Sequence, residues 1–445
     1  MIQYLPNIIF IGVLFFGLYF FARNLSRLYR NINFGKSIDV RGDRKQRFLN
    51  MCKIALGQGK LIKRPVSGML HVIVYVGFII INIELLEIVL DGVLGTHRIF
   101  SDYLGELYGY LISTFELLAF LVVVAVTIFW LRRNVINIKR FFGDNMKGWP
   151  KNDANIILYF EIVLMALFIT MNATDTNFQA MNSGNLISGY VAILFDGFSN
   201  ESLHIIERAC WWAHIIGILI FMNYLYFSKH LHILLAFPNT YFAKINNLGE
   251  IDNLNSVTNE VKLMMDPDMA FSNETTESEE IEKFGASDVM DLNKLQLLNS
   301  YSCTECGRCT SVCPANITGK KLSPRKIMMD TRDRIEEVGR NLDLNNGVFV
   351  DDEKSLLNDY ITKEELWACT SCNACVQECP ISIDPLSIIL DMRRYLVMEE
   401  SSAPLELNNM MSNIENNGAP WPYNQMDRLN SVSYTHLRAH ETRLN

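Results

Sequence analysis

Five stretches of predominantly apolar residues occupy the first 240 positions, and each is close to the roughly 20 residues that a helix needs to cross a bilayer. They run from Tyr4 to Phe21, Val66 to Leu90, Leu107 to Leu131, Ala154 to Met171 and Leu203 to Phe227. Polar residues between them are distributed unevenly. Arg23 to Arg64 carries twelve Lys and Arg and Arg132 to Lys151 carries six, whereas Asp91 to Glu106 has one and Asn172 to His204 has none. By the positive-inside rule the N-terminus is outside and the remainder of the chain after the fifth span is cytosolic. The first span has neither a basic start nor a small-residue cleavage site, so it reads as an uncleaved helix.

After Pro238 the apolar pattern stops. Residues 241–294 form an acidic linker, with Glu277, Glu279, Glu280 and Glu282 closely spaced and little to build a core. Order is expected to resume near Leu292. Helical patterns follow over Ser323 to Arg340, Lys363 to Trp367 and Ser387 to Met398. The expected organisation is a membrane domain over 1–240, the linker over 241–294 and a helical cytosolic domain over 295–430. Residues 431–445 resemble translated sequencing-adaptor sequence and are set aside, His436 and His440 with them.

Composition sharpens this picture. At 445 residues and 49% hydrophobic content the chain is too apolar for an ordinary soluble enzyme. The net charge of −8 comes without a basic stripe, which excludes nucleic-acid binding. Of ten cysteines, eight fall in two copies of one pattern, C-x2-C-x2-C-x3-C-P. The first copy is Cys303, Cys306, Cys309, Cys313 before Pro314. The second is Cys369, Cys372, Cys375, Cys379 before Pro380. Three thiolates two residues apart wrap three corners of a [4Fe–4S] cube, and the fourth cysteine ligates the other cluster. This assigns Cys303, Cys306, Cys309 and Cys379 to one cluster and Cys369, Cys372, Cys375 and Cys313 to the other. A pair of structural zinc sites would need four cysteines each but gives no reason for the x3 step and trailing proline in both copies. So many unpaired thiols imply a reducing compartment, in agreement with the cytosolic side given by the charges. Cys52, in a basic loop, and Cys210, in an apolar helix, read as inert.

Histidine at membrane depth is costly and usually has a partner or a metal. Three qualify. His214 and His232 are eighteen residues apart, five turns on the fifth helix, and so share one face about 27 Å apart. His71 follows Lys63, Arg64 and Pro65 and lies at the depth of His232, so this pair can clamp a b-type haem from both sides. His214 can equally be hydrogen-bonded to a neighbouring helix. His230 is rotated by about 160° from this face and is expected to point elsewhere. His97 and His204 read as solvated or interfacial. At the other leaflet, Glu84, Glu87, Glu116 and Glu207 with Arg208 form either a proton-accepting quinol site or a salt-bridged brace among Glu84, Glu207 and Arg208.

Two resemblances rest on these residues. The segment from about Leu295 to Pro404, carrying Tyr301-Ser302-Cys303-Thr304-Glu305-Cys306-Gly307-Arg308-Cys309 and Trp367-Ala368-Cys369-Thr370-Ser371-Cys372-Asn373-Ala374-Cys375, resembles the α-helical ferredoxin of heterodisulfide-reductase C-type subunits. The five-span part is similar to the γ subunit of respiratory nitrate reductase, which implies haem b and electron exchange between quinol and cytosolic clusters. Two-haem γ subunits carry a second histidine about ten residues along the second helix, where this chain has Ile81.

No dinucleotide fingerprint is present, and Gly35-Lys36-Ser37 is half a phosphate-binding loop, with Arg30 where the first glycine is required. The substrate site is therefore expected on a partner chain. The fold class is all-α: a five-helix transmembrane bundle followed by a cytosolic α-helical two-cluster ferredoxin domain. The expected function is a membrane-bound electron-transfer subunit of a quinone-linked oxidoreductase in the cytoplasmic membrane. It would work between a soluble cytosolic redox partner, either a cysteine-rich CCG-type or a flavoprotein subunit, two [4Fe–4S] clusters, haem b and quinone. The alternatives are a haem-free membrane anchor and a redox-sensing ferredoxin module.

Overall fold

The computed structural model describes residues 4–38, 42–181, 183–245, 247–266, 283–424 and 426. The expected adaptor-like segment 431–445 and the glutamate cluster at 277–282 lie outside the described residues. The regular structure of the described part is helical, with isolated bridges at Lys36–Asn293 and Leu357–Ile361 but no strand among the described residues.

Five helices are long and apolar enough to cross a membrane: α1 Leu5–Ile32, α2 Pro65–Leu94, α3 Glu106–Asn134, α4 Trp149–Thr174 and α5 Asn200–Tyr224, the last extended by a turn over Leu225–Phe227. Their ends follow from local chemistry. Proline opens α2 and α4, where a missing N–H costs nothing, and Gly95, left-handed at φ 78°, closes α2. Ser199 caps α5 by accepting from the Ser202 N–H at 3.2 Å.

The helices close a ring, α2 on α3, α3 on α4, α4 on α5, and α1 against both α5 and α2. Phe10, Ile112, Phe115, Phe168, Trp211 and Ile215 fill its centre. Large apolar side chains such as Phe15, Phe16 and Ile79 point outward, as a helix in lipid requires.

The observed α1 runs eleven residues beyond the expected end of its span. That polar tail is helical because it packs on protein rather than entering solvent. Arg30 bonds the Gly339 carbonyl at 2.9 Å and pairs with Asp343, and Asn31 donates to the Tyr301 hydroxyl at 2.9 Å. Asn31 can approach so closely because Gly339 has no side chain; a Cβ there would stand 2.6 Å from the Asn31 amide.

The fifth helix also departs from expectation. It does not continue to His232: Ser228 is extended (φ −114°, ψ 149°), a short turn spans Lys229–Leu231, and a new helix, α6, covers His232–Phe242. The break is held by tertiary bonds. Asp153 of α4 accepts from the Lys229 N–H at 3.1 Å and from the Tyr224 hydroxyl at 2.5 Å, while the Ser228 side chain caps the His230 N–H. The relation of His214 and His232 as one helical face is therefore lost.

The cysteine-bearing part contains α7 Lys294–Ser302, α8 Pro324–Leu344 and α9 Pro385–Met398. Asn293 and Gln296 form a capping box for α7, and Thr362 and Glu365 do so for the short helix Lys363–Trp367. Ile327, Met328, Ile335 and Val338 give α8 its buried face. Order begins before Leu292, since Ala286 and Val289 are already buried.

The chain divides into two compact units. One is Met1–Asp252 with Ser287–Ile389, so the bundle and the cysteine motifs, expected as separate domains, pack as one body. The other is Asn253–Ala286 with Leu390–Asn445; in its described part Ala286 N–H donates to Asp391 O at 3.0 Å and Lys283 lies 4.8 Å from the Tyr395 ring.

Candidate redox site

The two cysteine motifs adopt the same backbone form. Glu305 and Gly307, on either side of Cys306, are left-handed (φ 53° and 69°), as are Ser371 and Asn373 on either side of Cys372 (φ 55° and 58°). Left-handed residues curl each loop tightly around Cys306 and Cys372, at a cost for every residue that is not glycine. At Gly307 a side chain is excluded outright, because a Cβ would stand 2.7 Å from Arg325 Nη1 and 2.9 Å from the Arg140 carbonyl.

Cys303, Cys306, Cys309, Cys375 and Cys379 line one cavity. Cys379, from the second motif, lies within electrostatic reach of Cys306, while Cys375 lies near Cys369 and Cys313. Cys309 in turn lies near both Cys379 and Cys375, so the two motifs face each other across this cavity. Burial pushes the Cys303 and Cys375 thiols up to about 12 and Cys379 up to about 11. Such thiols keep their protons unless a metal displaces them, so the donor set suits iron–sulfur cages and is a poor set of free nucleophiles. Backbone N–H groups point at sulfur, Ser371 to Cys369 at 3.4 Å and Ile383 to Cys379 at 3.3 Å.

The motifs are clamped to the bundle. Arg308 reaches Leu61 O at 3.3 Å, Arg64 pairs with Glu378 at 2.6 Å, and Asn239 of α6 donates to Ile381 O at 2.8 Å. Arg325 donates to Arg140 O and Asn145 Oδ1, both at 2.7 Å. Glu305, between the first two cysteines, pairs with Lys229 and with Arg332 at 2.8 Å. Burial alone would raise its carboxyl, but Arg332 and Lys229 outweigh burial and hold it below the usual range.

Lys229 leads to the histidines. Its carbonyl lies 3.0 Å from His232 Nδ1. With the proton on Nδ1, this bond leaves Nε2 of His232 with a free lone pair, the form a metal requires. The His71 and His232 ring centroids are 6.3 Å apart with planes tilted by 44°. Two imidazoles on opposite sides of one metal, with bonds of about 2 Å, hold their centres about 6 Å apart. His71 Nδ1 is buried and has no hydrogen-bond partner. At this separation His71 and His232 are the residues that would hold the iron of a b-type haem, which would supply a one-electron carrier there.

His230 does not point elsewhere. Because the fifth helix breaks, its ring lies 5.4 Å from that of His232, and Nε2 is 3.8 Å from a Glu161 carboxylate oxygen. The sequence signal for this was Ser228-Lys229-His230, a polar step inside an otherwise apolar run. His214 faces Phe168 at 6.2 Å, with Nδ1 buried and unpartnered, and Ile81 packs into the bundle core.

The acidic residues at the far end of the bundle are mostly engaged in structure. Arg98 turns inward from the loop after α2 and bonds Asp175 at 2.8 Å, Asn172 at 2.9 Å and the Tyr108 hydroxyl at 3.2 Å. Glu87 accepts from Tyr108 and from the Phe100 N–H, and Glu116 from Asn172, Ile187 N–H and Ser188 N–H. The brace expected among Glu84, Glu207 and Arg208 is not formed as such: Arg208 pairs with its neighbour Glu207, and one Glu84 oxygen is buried without a partner. His97 meets Asp175 at 3.1 Å, and His204 is exposed, 3.9 Å from Glu207.

Five helices of spanning length packed against a part that matches a 4Fe-4S dicluster domain define a membrane iron–sulfur protein. The 4Fe-4S dicluster domain family matches residues 302–383. Over 95% of its length the chain is 27% identical to the probable iron-sulfur-binding oxidoreductase FadF of Bacillus subtilis, covering 60% of that protein. Over 84% it is 25% identical to the EtfAB:quinone oxidoreductase of Syntrophomonas wolfei, covering 52% of it. The cysteine-bearing part is 30% identical to the C-type subunit of the ferredoxin/F(420)H(2)-dependent CoB-CoM heterodisulfide reductase of Methanosarcina acetivorans, over 27% of this chain and 60% of that one. The chain therefore spans little more than half the length of the relatives that match it end to end. No solved structure matches it significantly.

Proposed function

We propose that the chain relays single electrons between a soluble redox partner and quinone in the bilayer. In this reading Cys303, Cys306, Cys309 and Cys379 hold one [4Fe–4S] cluster, Cys369, Cys372, Cys375 and Cys313 hold a second, and His71 with His232 hold a b-type haem. Those groups, when bound, supply one-electron carriers; the protein's residues set where they stand and how they are poised. His232 is oriented by Lys229 O, and the same lysine braces Glu305 in the first cysteine loop. That shared anchor is the observation that carries the reading, because it fixes the histidine pair and one thiol cage in a single frame. His214 faces Phe168 rather than an imidazole and does not enter.

The second cage includes the exposed Cys372 and is the natural point of contact for a soluble partner, a cysteine-rich CCG-type or flavoprotein subunit. The name of the Syntrophomonas relative, which pairs EtfAB with quinone, supports quinone as the membrane-side partner. The twelve and six basic residues flanking the cysteine end of the bundle support a cytosolic position for that end in the cytoplasmic membrane.

Anaerobically purified protein tests this. It should hold about eight irons in clusters per chain and show sharp α bands in reduced-minus-oxidised spectra, lost in His71→Ala and in His232→Ala and kept in His214→Ala. Clusters without α bands would leave the haem-free anchor; labile clusters without quinone-linked turnover would leave the sensor.

A further inference from the structure

An open groove of about 550 Å3 runs between the start of α2 and the segment after α3. Lys63, Arg64, Ser67, Arg132, Lys139 and Arg140 line it, and no carboxylate does. Two of the five cations have counter-charges elsewhere: Arg64 pairs with Glu378, and Arg140 faces Cys306 of the first cage. Among the described residues Lys63, Arg132 and Lys139 make no ion pair. Arg140 Nε is buried without a hydrogen-bond partner, and Arg64, Arg308 and Arg132 crowd its charge. Cations gathered in this way repel one another until an anion sits between them.

The position of the groove selects the anion. Lys63 and Arg64 directly precede α2, and Arg132 lies in the last turn of α3, so the groove sits where two spans leave the apolar layer. Pro65, Val66 and Ile138 complete its wall. Below it the surface turns apolar at once, with Val66 57% and Met69 66% exposed on α2. A small inorganic anion would use the charges and leave that apolar wall bare; an amphiphile uses both.

We infer that this groove binds an anionic phospholipid, its phosphate held by Lys63, Arg132, Lys139 and Arg140 and its first acyl carbons against Val66. Basic pockets between spans on the positive side of a membrane commonly take such headgroups. Binding of this lipid requires neither haem nor quinone.

Native mass spectrometry of the full chain, after exposure to phosphatidylcholine vesicles with or without phosphatidylglycerol, tests it. The protein should retain phosphatidylglycerol over phosphatidylcholine by about tenfold or more. The Lys63→Gln/Arg132→Gln/Lys139→Gln variant should lose that preference with its iron–sulfur absorbance unchanged. Equal retention of the two lipids by the wild type, or an unchanged preference in the variant, overturns the inference. Displacement of the lipid by an equal concentration of inorganic phosphate would make free phosphate the ligand and also overturns it. Should the variant fail to assemble, photoactivatable phosphatidylglycerol decides: crosslinks within 63–67 or 131–140 of the wild type support the site, and crosslinks only elsewhere overturn it.

Discussion

The Lys229 ammonium meets the Glu305 carboxylate, tying the loop between Cys303 and Cys306 to the turn that presents His230 and His232. Both groups are largely buried, and each has a second partner, Pro150 O at 2.7 Å for the lysine and Arg332 at 2.8 Å for the glutamate.

Removing one member of a buried, hydrogen-bonded charge pair costs more than the pair contributes, because the other charge is left behind. A double-mutant cycle of Lys229→Met with Glu305→Gln should give a coupling of about 1–3 kcal/mol. If His71 and His232 hold a haem as proposed, stopped-flow reduction should show its α band rising more slowly in Lys229→Met, with the band position unchanged. A coupling near zero together with an unaltered rate would mean that this pair anchors neither the loop nor the turn.

The proposed interleaving of the two motifs makes a pairing prediction. Cys379→Ser should abolish the same electron paramagnetic resonance signal as Cys306→Ser, and Cys313→Ser the same signal as Cys369→Ser. Each should lower cluster iron from about eight to about four per chain. Loss of one signal by both Cys306→Ser and Cys313→Ser would instead mean that each motif closes on itself.

Arg325 lines the first cage, and its guanidinium is fixed by Arg140 O and Asn145. A fixed positive charge there favours the more negative, reduced cluster. Arg325→Gln should therefore lower that cluster's reduction potential by on the order of 60 mV, a tenfold change in a one-electron equilibrium. The second cluster, titrated in the same sample, should not move.

At the opposite end of the bundle, Asp175 is nearly buried. Burial would raise its carboxyl, but the His97 hydrogen bond and the Arg98 guanidinium hold it well below the usual range. A depressed carboxyl stabilises the fold fully above its unfolded value of about 3.9 and loses that contribution only as pH falls through the lower folded value. Asp175→Asn should cost about 3 kcal/mol. In thermal unfolding the gap to wild type should stay constant from pH 8 to 5 and narrow only below about pH 4. A gap that closes already near pH 6 would mean that another group is responsible.

The spans and the 4Fe-4S domain were legible because each is written in a local period: runs of apolar residues long enough for a bilayer, and cysteines at fixed steps. What was not legible is set by contacts distant in sequence. Leu225 to Phe237 is apolar enough to read as a continuation of α5, and the break at Ser228 exists because Asp153, on another helix, accepts from Lys229 N–H. That break brought His230 beside His232, where helical periodicity had turned it away. Arg23 to Ile32 reads as a basic loop, yet remains helical because Asn31 and Arg30 find partners on α7 and α8. Arg98 is the single basic residue in its loop, and nothing local marks it as buried; its left-handed backbone turns the guanidinium inward to Asp175 and Asn172.

Asn31 and Tyr301 are 270 residues apart in the chain, so the ribosome delivers the tail of α1 long before the surface it meets exists. The tail must therefore wait, through 270 residues of synthesis, for the surface it packs on. A foreign anchor substituted for the first helix would still thread the chain into lipid. It would nevertheless leave the notch over Gly339 open, because only the side chain of Asn31 fills it.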